Sequence, residues 1–328
     1  MAEMTGTGAS WQINDVISAD TPLQFSKESY KKMEKDKDDL NRVVRPSLTY
    51  WQDAWVKLRK NPVAVAGLVI LIIYILLAIF APMFSAYDYK TQNADLMNVA
   101  PNAEHIFGTD QAGRDLWVRS WMGARVSLFI GFVVVLINTI IGCCVGGVAG
   151  YFGGKVDMTI MRIIDVLYGI PTIIIAILIR LVWNEGIFPL ILAMVAVGWI
   201  GSARLVRGQV LQMKNMEYVM AARTLGASGP RIIMKHMIPN ISGLLITNMT
   251  MAIPQAIFNE AFLSYLGIGV QPPNCSWGVL AQTATQVYRA YPYQLIIPAF
   301  FICTTMLALN MLGDGLRDAL DPKMRGKY

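Results

Sequence analysis

From Val63 to Phe84 the chain runs 22 residues without a charged side chain. Coiled as an α-helix at ~1.5 Å per residue, such a run is roughly 33 Å long, enough to cross a hydrocarbon core ~30 Å thick. Backbone in lipid must satisfy its own hydrogen bonds, so a single apolar run of this length is read as a helix. Five further apolar stretches, at about 126–149, 157–182, 187–203, 241–268 and 292–312, give an all-α polytopic membrane protein of six transmembrane helices. Composition agrees: 55% of the 328 residues are hydrophobic and 15% are charged, against about 25% charged in soluble domains.

Around the span region, 63–312, the chain divides by polarity. Residues 1–46 form a polar tail with a mixed-charge run from Lys27 to Arg45, and its first residues lack the basic start and apolar run of a cleaved leader. At 47–62, Trp51, Trp55 and Leu58 fall at i, i+4, i+7 among Lys57, Arg59 and Lys60, the pattern of an amphipathic helix in the membrane interface. A solvated basic flank is the plainer alternative. At the far end, Gly313-Asp314-Gly315 reads as a break that turns the chain out of the bilayer into a tail, 313–328. With the amino terminus inside, 22 of the 28 lysines and arginines lie on the inner side, six of them in a large loop at 204–240. The excess of basic residues places both termini in the cytoplasm. The net charge of +6 is therefore matched to anionic lipid headgroups, with no nucleic acid expected. Pro171, Pro254 and Pro298 sit inside spans, where each removes a backbone donor and favours a kink or break.

Chemistry of the catalytic kind is missing. A phosphate loop around Gly150–Lys155 would need glycine at Ala149 and Ser or Thr at Val156. His105 and His236 form no metal pair, no nucleophile elbow occurs, and Cys143, Cys144, Cys275 and Cys303 have neither metal nor redox spacing. The expectation is no catalytic residue, no metal and no cofactor on this chain. The 19 methionines, scattered through apolar stretches, read as packing.

The inner loop carries more information. Glu217–Leu225 is a good helix sequence, and Gly226 stands where a left-handed C-terminal cap belongs. Ser228 is then an N-cap with Pro230 in the first turn of a second helix, Arg231–Ile238, that stops at Pro239. Ala221, Ala222 and Ala227 allow another surface to approach closely. Read from geometry alone, an amphipathic hairpin on the headgroups fits as well.

Ala221-Ala222-x3-Gly226, followed after twelve residues by Pro239, resembles the cytoplasmic "EAA" loop of ABC importer permeases, with Met220 in place of the family's glutamate and His236 in place of its isoleucine. Four more stretches resemble the C-type permease of the dipeptide/oligopeptide/nickel group. These are His105-x2-Gly108-Thr109-Asp110-x2-Gly113-Arg114-Asp115 with Arg119 and Gly123-Ala124-Arg125, and Asp157-x3-Met161-Arg162-x2-Asp165 with Pro171. The others are Glu260–Gly269 with Pro272-Pro273 and Trp277-Gly278, and Asn310–Asp318 with Asp321-Pro322. The likeness runs from about residue 50 to the end. It implies the type I importer permease fold in a bacterial or archaeal cell membrane. It also implies a homologous second permease, two ATP-binding subunits that hold ATP and magnesium, and an extracellular or periplasmic peptide-binding protein. Glu217, Ala221, Ala222, Leu225, Gly226, Ala227, Ser228 and Pro239 would then be the surface that couples to the ATP-binding subunit. Oligopeptide or dipeptide is the implied cargo, with nickel or another small solute as the near alternative and a gated channel, or a membrane enzyme, as readings from other classes.

Charges inside an apolar span are costly unless paired or wet. Arg162 and Asp165, at i, i+3, are spaced to pair with each other. Glu260 has no evident local partner, and either lines the transport route or pins a neighbouring helix. Asp110, Arg114 and Asp115 either meet a substrate-binding protein or close an outer gate, or belong to turns in which the carboxylates bond backbone amides.

Overall fold

Asn61 divides a short helix from a long apolar one. The computed structural model describes residues 49–183 and 186–320; the tail 1–46, Asn184 and Glu185 in the expected turn, and Asp321-Pro322 lie outside the described residues. Helix α1 (Tyr50–Lys60) starts where the Gln52 side chain accepts the Thr49 N–H at 3.0 Å. The Asn61 carboxamide oxygen then accepts from Val63 and Ala64, starting α2 (Pro62–Phe80) with proline in its first turn. The expected Trp51, Trp55, Leu58 face is split. Leu58 turns inward with Ala54 against Ala64, Ala319 and Leu320, while Trp51 and Trp55 stay exposed and Arg59 lies 4.8 Å over the Trp55 ring.

Next come α3 (Leu116–Phe152), α4 (Gly154–Tyr168), α5 (Thr172–Val182) and α6 (Ile187–Met213). The inner loop holds α7 (Glu217–Thr224) and α8 (Gly229–Ile232), and α9 (Ser242–Tyr265), α10 (Trp277–Ala284) and α11 (Tyr293–Leu320) complete the order. No β-strand occurs among the described residues, and five helical stretches are long and apolar enough to span a membrane, or six with a bent pair counted as one span.

Three expected boundaries are corrected, and the break expected at Pro171 is present. Span two begins at Leu116 instead of 126, because Asp115 caps it there by accepting the Val118 N–H at 2.9 Å. Span three is a broken pair, α4 and α5, bent by 83°. Pro171 has no N–H to donate, and the residue before a proline is pushed out of the helical region. Pro239 does not end the inner-loop helix. The backbone widens into a π-turn at Ile233–Met237, tightens to a 3-10 turn at Pro239–Ile241 and runs on into α9. Gly313-Asp314-Gly315 is no break either: α11 continues to Leu320, moving the boundary set at 313. The glycine at 315 serves contact, since a Cβ there would lie 2.2 Å from the Ala64 Cβ on α2.

Close approach also governs α3 and α6. Gly142, Gly146 and Gly150 form one stripe along α3, and added Cβ atoms would meet Ser202 Cβ at 2.4 Å, Ala203 O at 2.3 Å and Arg207 O at 2.9 Å. Small residues at spacing four let two helices in lipid pack backbone to backbone. Toward the other end of the bundle Phe301 on α11 is ringed by Tyr74, Trp121 and Trp277, with centroids 4.9 to 5.9 Å away, tying α2, α3, α10 and α11 together.

Candidate functional site

Helix α7 is held from one side only. Val219 is buried, and Ala222 leans with Ala227 against a core of Val206, Val210, Ile232, Ile233 and Met237. Tyr218 accepts a hydrogen bond from Asn240 at 2.9 Å, and the Arg223 guanidinium lies 5.4 Å over the Tyr151 ring at the end of α3. The opposite face has no partner among the described residues: Glu217, Met220, Ala221 and Leu225 are exposed, Leu225 by 88%. Gly226 follows at φ +80°, with its N–H on Arg223 O. Ser228 occupies the N-cap position of α8 without a side-chain cap bond, with Pro230 in the first turn. Of the expected coupling residues, then, the structure puts Glu217, Ala221, Leu225, Gly226 and Ser228 on the surface and turns Ala222 and Ala227 partly inward, with Pro239 at the base of the π-turn.

Preceding α3, the chain forms a tight pad. Asp110 accepts the N–H groups of Ala112 and Arg114 at 2.8 and 3.0 Å and the Arg114 Nε at 2.8 Å. Arg119, with no exposed surface, comes 3.4 Å from the same carboxylate and donates to Tyr89 O at 2.8 Å. His105 Nδ1 pairs with Asp115 at 2.8 Å. Tyr293 and Gln294 at the start of α11 hold the pad down, donating to Val99 O and Thr109 O. Asp110, Arg114 and Asp115 are thus brought together, buried, with both carboxylates bonding backbone amides.

Glu260 is fully buried, and the sequence-based view of it as lacking a local partner is corrected. Ser264, one turn on, donates to Oε1 at 2.8 Å, and Ser127 on α3 donates to Oε2 at 2.7 Å. Those hydroxyls in turn accept Val270 N–H and Trp277 N–H. The expected Arg162–Asp165 pair is corrected too. Asp165 is 2.9 Å from Arg204 on α6, and Asp157 takes Arg207 at 2.6 Å. Two ion pairs therefore join the first half of the broken span to α6. Neither had been read from sequence, although Arg204 and Arg207 at i, i+3 facing acidic residues on an adjacent span was an available signal.

A bundle of apolar helices, one broken at mid-span, with a short helix presented on a loop, is a polytopic membrane protein of the importer permease architecture. The solved inward-facing MetNI methionine ABC transporter has a chain of this fold, with a TM-score of 0.51 and 19% identity over 61% of this chain and 97% of that one. Residues 142–326 match the family model for the binding-protein-dependent transport system inner membrane component, and residues 49–101 match that for the N-terminal TM domain of oligopeptide transport permease C. The oligopeptide transport system permease protein OppC of Bacillus subtilis is 48% identical over 88% of this chain and 94% of its own length. The dipeptide transport system permease protein DppC of the same organism is 49% identical over 88% and 90%. OppC of Escherichia coli is 37% identical over 92% of this chain and its full length. The chain belongs to the binding-protein-dependent transport system inner membrane component family.

Proposed function

We propose that this chain is the membrane-spanning permease subunit of an ATP-driven importer of oligopeptides or dipeptides. The observation that carries the reading is the 48% identity, along nearly the whole of both chains, to a protein named as an oligopeptide transport permease. Chemistry and coupling are divided between chains. ATP and magnesium belong to two ATP-binding subunits, a homologous second permease completes the pathway, and an external peptide-binding protein delivers cargo. Helix α7 docks on an ATP-binding subunit through Glu217, Ala221 and Leu225. Gly226, in the left-handed region, sets the angle between that helix and α8. Closure of the ATP-binding pair moves α7, and the core beneath it carries the movement to α6 and α9, favouring one opening of the bundle over the other. Glu260 and the Asp110, Arg114 and Asp115 pad brace the side of the bundle opposite this loop. Both termini lie in the cytoplasm.

The test is reconstitution of the complete complex in proteoliposomes with its binding protein. ATP-dependent accumulation of a labelled tripeptide is expected; accumulation of nickel alone, or solute flux without ATP, overturns the assignment.

A further inference from the structure

Midway along the spans, α3, the α4–α5 break, α6 and α9 line an open cavity of about 290 Å³. Its lining includes no charged side chain. The polar groups are the carboxamides of Asn138, Gln255 and Asn259, with Tyr168 and Thr172 at the break. Gln255 is ten residues, roughly 15 Å, inside the end of α9 at Tyr265. Carboxamides at that depth are costly to present to hydrocarbon, so they mark a route or a contact.

Their hydrogen-bonding capacity is largely unspent. The Asn138 carboxamide oxygen is buried without a partner. Gln255 Nε2 donates to Asn259 Oδ1 at 3.1 Å, and both residues are exposed in the cavity lining, with the Gln255 oxygen and the Asn259 amide hydrogens outside that bond. Span four makes room for this arrangement, because a Cβ at Gly198 would lie 2.4 Å from Asn138 Nδ2.

We propose that Asn138, Gln255 and Asn259 form a site that holds the main-chain amides of a peptide in transit, and this rests on the peptide-import reading above. Each peptide bond offers one N–H donor and one C=O acceptor whatever side chains flank it. A carboxamide offers the complementary acceptor and donors without charge. Three such groups recognise backbone and ignore side-chain sign, and neutral hydrogen bonds are weak enough to release the chain onward. Discontinuous helices at mid-membrane are where transporters place such sites.

The experiment uses the reconstituted complex at saturating, peptide-loaded binding protein. Asn138→Leu and Asn259→Leu are each expected to slow tripeptide uptake about tenfold, one hydrogen bond's worth, equally for acidic, neutral and basic tripeptides. Asn259→Gln, which keeps the carboxamide, restores most of the rate. A tripeptide analogue with an ester in place of one amide slows the unmodified complex and slows the leucine variants no further. For a variant that assembles poorly, a second measurement stands in: Asn259→Cys with the four native cysteines replaced, where peptide is expected to protect the thiol from a small water-soluble reagent. Unchanged uptake by the leucine variants, an absence of protection, or loss of the second permease from the purified Asn259→Leu complex overturns the site while the importer reading stands. Failure of the unmodified complex to take up any peptide overturns the reading beneath it.

Discussion

Glu260 takes hydroxyl donors from Ser264 on its own helix and Ser127 on α3, and each hydroxyl passes the bond on to a backbone N–H. Removing the carboxylate leaves two buried hydroxyls unsatisfied, at about 1–3 kcal/mol each. Glu260→Leu should therefore lower the melting temperature of the detergent-purified complex, while Glu260→Gln, which keeps the acceptor oxygen and the shape, should lower it less. Equal melting of all three forms would remove the bracing role. The glutamate stood out in sequence because it interrupts an apolar run. Its partner Ser127, 133 residues away, did not, since a serine in a span has no signature of its own. Cys275 makes a second residue-scale prediction. It is buried, with Sγ directed at Arg119 O, and burial pushes the thiol pKa up, so thiolate is scarce near neutral pH. In the folded protein at pH 7.5 (about one unit below a free thiol) Cys275 should resist a water-soluble maleimide, and unfolding in detergent should expose it.

The spans themselves were legible because lipid leaves the backbone few alternatives; their ends were not, because ends depend on caps and contacts. Asp115 starts α3 earlier than hydropathy does, and α11 runs through Gly313 and Gly315, which face α9 at Met251 and α2 at Ala64 respectively. The stripe Gly142, Gly146, Gly150 shows the same dependence on a partner helix. Gly146→Leu is expected to force α3 from α6, since Ala203 O is backbone and cannot swing aside, at about 1–3 kcal/mol or more. Gly201→Ala on α6, where a Cβ meets nothing within 4 Å, is the control and should be neutral or slightly stabilising. Comparing the yield and melting of the two purified variants checks the pair, and equal behaviour would mean that the stripe does not set the helix spacing.

For the molecule as a whole, the family was legible in clustered motifs. The exposed face of α7 was not, because the repeat Ala221-Ala222 gives no hint that one alanine packs inward and the other outward. Orientation is tested by single cysteines in a cysteine-free background: one at Ser228 is expected to be shielded from an impermeant thiol reagent in intact cells and one at Asn93 to react, and the reverse would invert the topology. Gly226 isolates the proposed coupling of ATP hydrolysis to transport through the loop 204–240. A side chain there meets nothing within 4 Å but must adopt φ +80°, a strain of roughly 1 kcal/mol, too small to unfold the bundle yet enough to turn α7. Measured as peptide accumulated per ATP hydrolysed in proteoliposomes, Gly226→Val is predicted to insert at normal abundance and to lose ATP-driven uptake. Ala221→Glu, a charge on the exposed face of α7 proposed to dock, should do the same by releasing the ATP-binding subunit. Uptake at the unmodified rate and stoichiometry in both variants would mean that the loop is not the coupling element.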